Sequence, residues 1–213
     1  TFQDTMRDRF PFLKSVELGD PVRILIAGCG TGYHPIKVAA GYSEAKVTAI
    51  DFSKTSLAYA IRQARRYNLP NLSFLHGDIL NLEAHQEFDS IEAIGVLHHM
   101  ADPVAGLRTL VRALKPGGFM KLGLYNRRVR ALLNEAKRII RERHIGTSPT
   151  ELREVRQEII RHQSGSTKGP IDCHDFYCTS GFRDLLCHAR EVSFYPAELR
   201  SILDAAGLLV LGC

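Results

Sequence analysis

The sequence lacks the features that mark a protein of the membrane or of the cell exterior. Its 213 residues contain no apolar run of about 18 residues, so no transmembrane helix is predicted. The first residues, Thr1–Asp4, do not have the basic and then apolar order of a signal peptide. We therefore expect a cytoplasmic protein without a membrane partner. Because an initiating methionine is also missing, we expect a piece of a longer polypeptide or a trimmed chain.

Cysteine is scarce and irregularly placed. The five cysteines are an odd number without a regular framework, which favours reduced thiols over disulfide bonds. Several of them gather with histidines in one short span, but no Cys-x-x-Cys pair is present to anchor a zinc ion. We expect no metal ion, and the alternative is a zinc site built from Cys173, His174, Cys178, Cys187 and His188.

Composition predicts one globular domain. The chain is 45% hydrophobic and 24% charged, which is sufficient for a sizeable core and leaves room for an insertion. The formal net charge of +5 is compatible with an anionic partner but does not by itself identify one.

Three glycines follow the first predicted strand. The strand, Val22–Ala27, is apolar without helical periodicity, which is typical of a parallel strand buried on both faces. Gly28, Gly30 and Gly32 then let the backbone approach a ligand closely. A dinucleotide fingerprint would need its third glycine where Tyr33 stands, and no Gly-Lys-Ser/Thr follows to make a P-loop. We predict a site for a smaller nucleoside, the alternative being a turn that binds nothing.

Acidic residues follow the next two predicted strands. Asp51 ends the strand that begins at Val47, about 20 residues after the glycines, where an acid can accept hydrogen bonds from a ribose. The alternative, that Asp51 only caps the next helix, is weaker because Ser53 is the better N-cap for a helix over Lys54–Tyr67. After the strand Leu72–His76, Asp78 and Ile79 could bind the amine of an adenine and cover its ring.

Two histidines follow the fourth predicted strand, Phe88–Gly95. His98 and His99 lie where ligands gather in open α/β sheets, and a neutral imidazole can accept a proton from a nucleophile. The alternative is that both side chains hydrogen-bond loop backbone. Asp102 is then predicted to cap a helix that has Pro103 in its first turn.

The strand and helix alternation predicts an α/β fold. We expect a doubly wound, Rossmann-like and mainly parallel sheet, with helices on both faces and a helical insertion after strand 5. The predicted segments are an N-terminal arm at 1–20, a core at 21–125, a helical lid at 126–190 and a final helix and strand at 191–213. We expect the last segment to be truncated.

Some finer elements are predicted as well. Lys115–Gly118 is expected to form a turn before the fifth strand, Phe119–Tyr125. In the lid we predict helices and a flexible break, and after the lid a helix and a sixth strand. These elements are the helices Arg127–His144 and Glu151–Gln163, the break Ser164–Pro170, the helix Pro196–Ala206 and the strand Leu208–Leu211.

Taken together, five motifs resemble the ordered motifs of class I S-adenosylmethionine-dependent methyltransferases. They cover about residues 20–125, and the last helix and strand extend the match. The residue sequences of the first and fourth motifs, and of Phe182–Leu186, are similar to those of a bacterial branch of this family that is often fused to tetratricopeptide repeats. The motifs are Ile26–Gly32, Val47–Asp51, Gly77–Ile79, Gly95–His99 and Leu114–Gly118.

The resemblance implies a role for each motif. The backbone of Ala27, Gly28, Cys29, Gly30 and Gly32 would lie along the methionine part of S-adenosylmethionine. Asp51 would hold the ribose, Phe52 and Ile79 would sandwich the adenine, and Asp78 would accept from its amine. The sulfonium side would be lined by Gly95, Val96 and Leu97, with His98 and His99 facing the acceptor.

One position departs from the family. Many members have an acid two residues before the first glycine, where it helps to anchor the amino group of the cofactor, and this chain has Ile26. The resemblance therefore leaves that amino group to the N-terminal arm or to backbone carbonyls, or implies a lower affinity.

The implied activity is methyl transfer to an unidentified acceptor, which we expect to be a small molecule, with S-adenosylhomocysteine as the other product. The alternatives are a methyltransferase acting on tRNA, other RNA or protein, and a non-catalytic scaffold that binds S-adenosylmethionine. Basic residues of the lid raise the RNA alternative, although no aromatic residues are interleaved with them. They are Arg127, Arg128, Arg130, Lys137, Arg138, Arg141 and Arg143.

Overall fold

The computed structural model describes residues 1–13, 16–144, 146, 148–161, 168–188 and 190–212. Two compact units make up the chain. The first, here called the sheet unit, comprises Thr1–Leu124 with Arg200–Cys213, and the second, the helical unit, comprises Tyr125–Leu199.

A five-stranded parallel sheet organises the sheet unit. The strands lie in the order β3-β2-β1-β4-β5, with every neighbouring pair parallel. This arrangement confirms the prediction of a Rossmann-like α/β fold. The strands are β1 (Arg23–Ala27), β2 (Lys46–Asp51), β3 (Leu72–His76), β4 (Phe88–Ile94) and β5 (Leu114–Gly123).

Helices cover both faces of this sheet. Successive side chains of a strand point to opposite faces, so Ile24 and Ile26 enter one apolar cluster while Leu25 and Ala27 enter the other. Helices α1 to α3 contribute to the Ile24 cluster, and α4 and α10 contribute to the Leu25 cluster. The helices are α1 (Phe2–Arg9), α2 (Tyr33–Gly41), α3 (Lys54–Ala64), α4 (Pro103–Ala113) and α10 (Pro196–Ala205).

Capping side chains start two of these helices where the sequence predicts. The Ser53 hydroxyl accepts the amide of Ser56 at 3.2 Å, and Asp102 accepts the amides of Val104 and Ala105. Helix α3 ends at Ala64, three residues before the predicted end, and continues as a 3-10 turn over Arg65–Tyr67.

The N-terminal segment packs at the edge of the sheet where the strands begin. Phe2 of α1 lies edge-on to Tyr42 at 5.1 Å, and its amide donates to Glu44 at 2.8 Å, just before β2 starts. Asp89, near the start of β4, accepts the amides of Gly19 and Arg23 at 2.8 Å each. The arm therefore lies away from the carboxyl ends of the strands.

The predicted turn at Lys115–Gly118 is wrong, because these residues belong to β5. The β4–β5 ladder shifts register between Phe88 and Ser90, which accommodates the irregular segment within the strand. A Cβ at Gly118 would lie 2.9 Å from the carbonyl oxygen of Asp89, so glycine is needed for this close pairing.

The predicted sixth strand, Leu208–Leu211, is also wrong. Residues 208–212 form no strand, and the amide of Leu208 donates to the carbonyl of Leu203 instead of to β5. This bond closes the C-terminal end of α10 around Gly207, and Leu208 packs against the apolar cluster of the sheet.

The helical unit has an apolar core of its own, in which Leu152, Ile159, Phe176 and Phe182 are fully buried. Its two short strands pair in parallel. The elements are β6 (Tyr125–Asn126), α5 (Arg127–Ala131), α6 (Asn134–Glu142), α7 (Pro149–Arg161), α8 (Lys168–Ile171), α9 (Thr179–Leu186) and β7 (Ser193–Phe194).

Two helix predictions in this unit need correction. Arg127–His144 is not one helix, because the chain turns at Leu132 and Leu133 between α5 and α6. The turn brings Leu133 into the core while Arg130 of α5 is also buried. Helix α7 begins two residues before the predicted Glu151.

Most of the predicted break at 164–170 lies outside the described residues, and its last three residues belong to α8.

No helix in the described part of the chain has the length and apolar character required to cross a membrane.

Candidate functional site at the carboxyl ends of the strands

Hydrogen bonds from successive backbone amides connect the glycine loop after β1 to the end of β2. Those of Gly28 and Cys29 donate to the carbonyl of Ile50 at 2.9 and 3.0 Å, and that of Gly30 donates to Oδ2 of Asp51 at 2.7 Å. The loop therefore has one fixed path across the ends of both strands before α2 begins.

Asp51 connects this loop to the start of α3. Its Oδ2 accepts from Gly30, and its Oδ1 accepts the amide of Ser53 at 2.8 Å. Asp51 is half-buried, and each carboxylate oxygen has a second lone pair with which to accept from a ligand hydroxyl. The carboxylate therefore has a structural role in the loop and retains capacity for a ligand.

The glycines of this edge fall into two groups. A Cβ at Gly28 would lie 2.4 Å from Cβ of Val96, and one at Gly32 would lie 2.6 Å from Cβ of Ala60, so both are required by packing. At Gly30 and Gly95, in contrast, no described heavy atom lies within 4 Å of the added Cβ. These two positions border open space that a ligand can enter.

The residues predicted to contact an adenine differ in accessibility. The Phe52 side chain is 75% exposed, and its ring centroid lies 6.5 Å from that of His76. Asp78 is half-buried and accepts the amide of Leu80 at 3.0 Å. Ile79 is buried in the apolar cluster of the sheet, so its side chain presents little surface to a ligand.

Apolar residues that the sequence analysis missed are exposed at the same edge. Tyr33 opens α2, Leu80 follows β3, and Ile94 ends β4. Large exposed apolar side chains next to a glycine loop are typical of a ligand site. The signal available in the sequence was their position within a few residues of the carboxyl ends of the predicted strands.

The two predicted catalytic histidines lie in a 3-10 helix after β4, with their ring centroids 4.2 Å apart. His98 is only 1% exposed, whereas His99 is half-buried. Leu97 is buried in the apolar cluster of the sheet, and Val96 packs against that cluster. Of the two imidazoles, that of His99 is therefore the one accessible to a substrate.

A buried carboxylate on β4 was missed by the sequence analysis. Glu92 is 7% exposed, and its Oε2 lies 2.8 Å from Nε2 of His34 and 3.4 Å from Nζ of Lys121. Burial by itself raises the pKa of Glu92, but the His34 hydrogen bond and the Lys121 charge outweigh it and lower that pKa below its usual value. Glu92 is therefore ionised at neutral pH.

Two of the described cysteines, Cys29 and Cys178, have structural surroundings. Burial, with the nearby Asp51 charge, raises the pKa of the Cys29 thiol to about 12, so this loop cysteine is not a nucleophile. Cys178 accepts the amide of Gly181 at 3.2 Å and caps α9. Among the described residues, no group of three or more His, Cys, Asp or Glu side chains is placed to hold a metal ion, including the span considered for zinc.

Comparison with known proteins adds a family match. A family model described as a methyltransferase domain matches residues 19–176. The ubiquinone biosynthesis O-methyltransferase of Paracidovorax citrulli is 30% identical over 113 residues, which are 52% of this chain and 47% of that protein. The tRNA U34 carboxymethyltransferase of Alteromonas mediterranea is 33% identical over 100 residues, 45% of this chain and 30% of that protein.

A solved structure shares the fold. PKMT2 from Rickettsia typhi, in complex with AdoHcy, superposes with a TM-score of 0.79 at 18% identity, covering 97% of this chain and 43% of that protein. The chain thus spans less than half the length of these three proteins.

Proposed function

Because the chain belongs to the methyltransferase domain family, we propose that it transfers a methyl group from S-adenosylmethionine to a small-molecule acceptor. The observation that carries the proposal is the open space at Gly30, whose amide donates to the Asp51 carboxylate, and at Gly95 after β4. AdoHcy, the demethylated form of this cofactor, is bound by the structurally similar Rickettsia protein.

In this proposal, each part of the cofactor has a partner at the carboxyl ends of the strands. The backbone from Ala27 through Gly28, Cys29 and Gly30 to Gly32 lies along the methionine part, and Asp51 accepts from the ribose hydroxyls. Phe52 covers the adenine, and Asp78 accepts from its amine. Ile79 supports the other face of the adenine from within the core. Gly95, Val96 and Leu97 border the sulfonium.

The proposed reaction demands little covalent chemistry from the protein. The acceptor attacks the methyl carbon in line, the carbon–sulfur bond breaks, and S-adenosylhomocysteine leaves with the electron pair. Alignment and exclusion of water lower the barrier. If the acceptor must lose a proton, His99 accepts it, while the buried His98 packs against the His99 ring and orients it.

Calorimetry with S-adenosylhomocysteine tests the cofactor site. We expect the wild-type protein to bind, and Asp51→Ala to weaken binding about 10- to 100-fold because charge-assisted hydrogen bonds to the ribose are lost. The matched control is Asp102→Ala, since Asp102 also accepts two backbone amides but lies at the start of α4. Equal affinities of wild type and Asp51→Ala would contradict the assignment of Asp51.

The charges of the helical unit favour a small molecule over RNA. Five of the seven basic residues that raised the RNA alternative pair with carboxylates inside the unit, so they do not form a continuous basic surface. The five are Arg127, Arg130, Lys137, Arg138 and Arg143. We propose that this unit, which follows β5 along the chain, selects the acceptor.

Transfer of a labelled methyl group identifies the acceptor class. The protein is incubated with methyl-labelled S-adenosylmethionine and cell extract separated into small-molecule, RNA and protein fractions. We expect label in the small-molecule fraction, with loss of transfer in His99→Ala if a proton must be removed. Label in RNA or protein would contradict a small-molecule acceptor, and binding without transfer to any fraction would favour a scaffold.

Fusion to tetratricopeptide repeats and a cytoplasmic location stay predictions.

A further inference from the structure

One row of side chains crosses the sheet close to the glycine loop. Ile26 of β1 is in register with Ala49 of β2 and with Glu92 of β4, and Glu92 is in register with Lys121 of β5. Registered residues of parallel strands point to the same face, and neighbouring strands lie about 4.8 Å apart. Glu92 is therefore the carboxylate of this row, one strand away from the chain that enters the loop.

The contact with His34 fixes where the Glu92 carboxylate lies. His34 is the second residue of α2, the helix that starts directly after the loop, and its Nε2 is 2.8 Å from Oε2 of Glu92. The carboxylate consequently lies beside the first turn of that helix. This is the end of the sheet at which Gly30 and Gly95 border open space.

Only one of the two carboxylate oxygens of Glu92 contacts another described side chain. Both contacts that it makes with other described residues, those to His34 and Lys121, engage Oε2. Oε1 has no donor among the described residues, and it is not one of the fully enclosed unpartnered atoms, so a ligand donor can reach it. A ligand ammonium group carries three N–H donors and a compensating charge.

We propose that Oε1 of Glu92 binds the α-ammonium group of S-adenosylmethionine. This inference rests on the proposed function, which brings a ligand with that group to the loop. Ile26 on β1 stands where many family members have an acid, and here Glu92 on β4 provides the negative charge instead. The N-terminal arm, one of the two candidates named from the sequence, packs where the strands begin, and backbone carbonyls carry no full charge. His34 is then a positioning residue, because its hydrogen bond occupies Oε2 and turns Oε1 toward the ligand.

Three ligands that differ only in the amino-acid part test this proposal by calorimetry. They are S-adenosylhomocysteine, its deaminated analogue with hydrogen in place of the amine, and 5′-methylthioadenosine, which lacks the amino-acid part. We expect the wild-type protein to prefer S-adenosylhomocysteine over the deaminated analogue by about 10- to 100-fold. In Glu92→Gln this preference should fall to about threefold or less, while the affinity for 5′-methylthioadenosine stays unchanged.

The matched control is Glu87→Gln. Glu87 also lies beside β4 and pairs with a cation, Arg23, but it precedes the strand and is far from the loop, so its loss should keep the preference. His34→Gln, which retains a donor, should reduce the preference less than Glu92→Gln does. Because the preference is a ratio within one protein sample, a partly unfolded variant does not change it.

Each outcome has a distinct meaning. A wild-type protein without preference for the amine, or a Glu92→Gln variant that keeps the full preference, would overturn the role of Glu92. If Glu92→Gln does not fold, the wild-type ratio and Glu92→Asp decide, since the shorter side chain should lower the preference. Failure of the wild-type protein to bind any of the three ligands would instead contradict the proposed function.

Discussion

At the scale of single residues, the candidate site depends on positions where a side chain is absent. Gly28 and Gly32 are packed against Val96 and Ala60, so their lack of a Cβ serves the fold. All three glycines have a left-handed backbone, with φ of +54° at Gly30, but Gly30 differs because the space beyond it is open. The same sequence motif therefore contains glycines that pack the protein and one that admits a ligand.

Gly30→Ala is expected to separate these roles. The left-handed backbone makes the change cost about 1 kcal/mol of folding free energy, and the new methyl group should block the cofactor and weaken S-adenosylhomocysteine binding at least about tenfold. Gly207→Ala is the control, since Gly207 has φ of +75° with no described heavy atom within 4 Å of an added Cβ. It should lose similar stability in urea unfolding but keep its affinity. Equal affinities in both variants would show that Gly30 does not face the cofactor.

At the scale of elements, a buried ion cluster holds the short helix α5 to the end of the helical unit. Arg130 is 6% exposed; it donates to both carboxylate oxygens of Glu191 and to the carbonyl of Leu185. Lys137 of α6 lies 3.0 Å from the same carboxylate. Burial alone would raise the pKa of Glu191, but the hydrogen bonds from Arg130 and Lys137 lower it below its usual value.

Glu191→Gln should destabilise the helical unit by about 3 kcal/mol, because the buried Arg130 and the half-buried Lys137 lose their counter-charge. Since the folded pKa of Glu191 is lowered, its contribution is complete above the ordinary glutamate pKa and disappears as pH falls through the lowered value. Hydrogen exchange in peptides from residues 125–199 measures the effect.

The control for this change is Glu142→Gln, which breaks an exposed pair with Arg138 and should cost less than about 1 kcal/mol. Unchanged exchange in Glu191→Gln at about pH 7 would show that the cluster does not stabilise these elements.

At the scale of the whole molecule, the formal charge of +5 includes basic residues of the helical unit that pair with carboxylates. Arg138, for example, lies between Glu135 and Glu142 on the exposed side of α6. Of the seven basic residues, only Arg128 and Arg141 form no ion pair with another described residue.

Binding of mixed tRNA is therefore expected to be non-specific, with a Kd of about 10⁻⁴ to 10⁻⁶ M at physiological salt. Fluorescence anisotropy with labelled tRNA over a salt series measures the Kd and its slope. Arg128→Ala with Arg141→Ala should weaken this binding slightly and leave S-adenosylhomocysteine affinity unchanged. Nanomolar binding that falls steeply with salt would favour an RNA acceptor.

The sequence by itself determined the succession of strands and helices over the first five strands of the sheet unit and the carboxyl ends of β1, β2 and β3. Apolar runs, the glycine loop and the cap at Ser53 act over a few neighbouring residues, so their effect is visible without knowing the fold. Asp51 and Asp78 could be placed at one edge because parallel strands end together. The family motifs lie in the same segments.

Only the tertiary structure decided the rest, because it depends on residues far apart in the chain. Arg130 and Glu191, which are 61 residues apart, are in contact, and a turn at Leu132 and Leu133 divides what the sequence predicts as one helix. Register across the sheet brings Glu92 to His34, and packing buries His98 while leaving His99 accessible. Register and packing are properties of the assembled fold, which local periodicity does not specify.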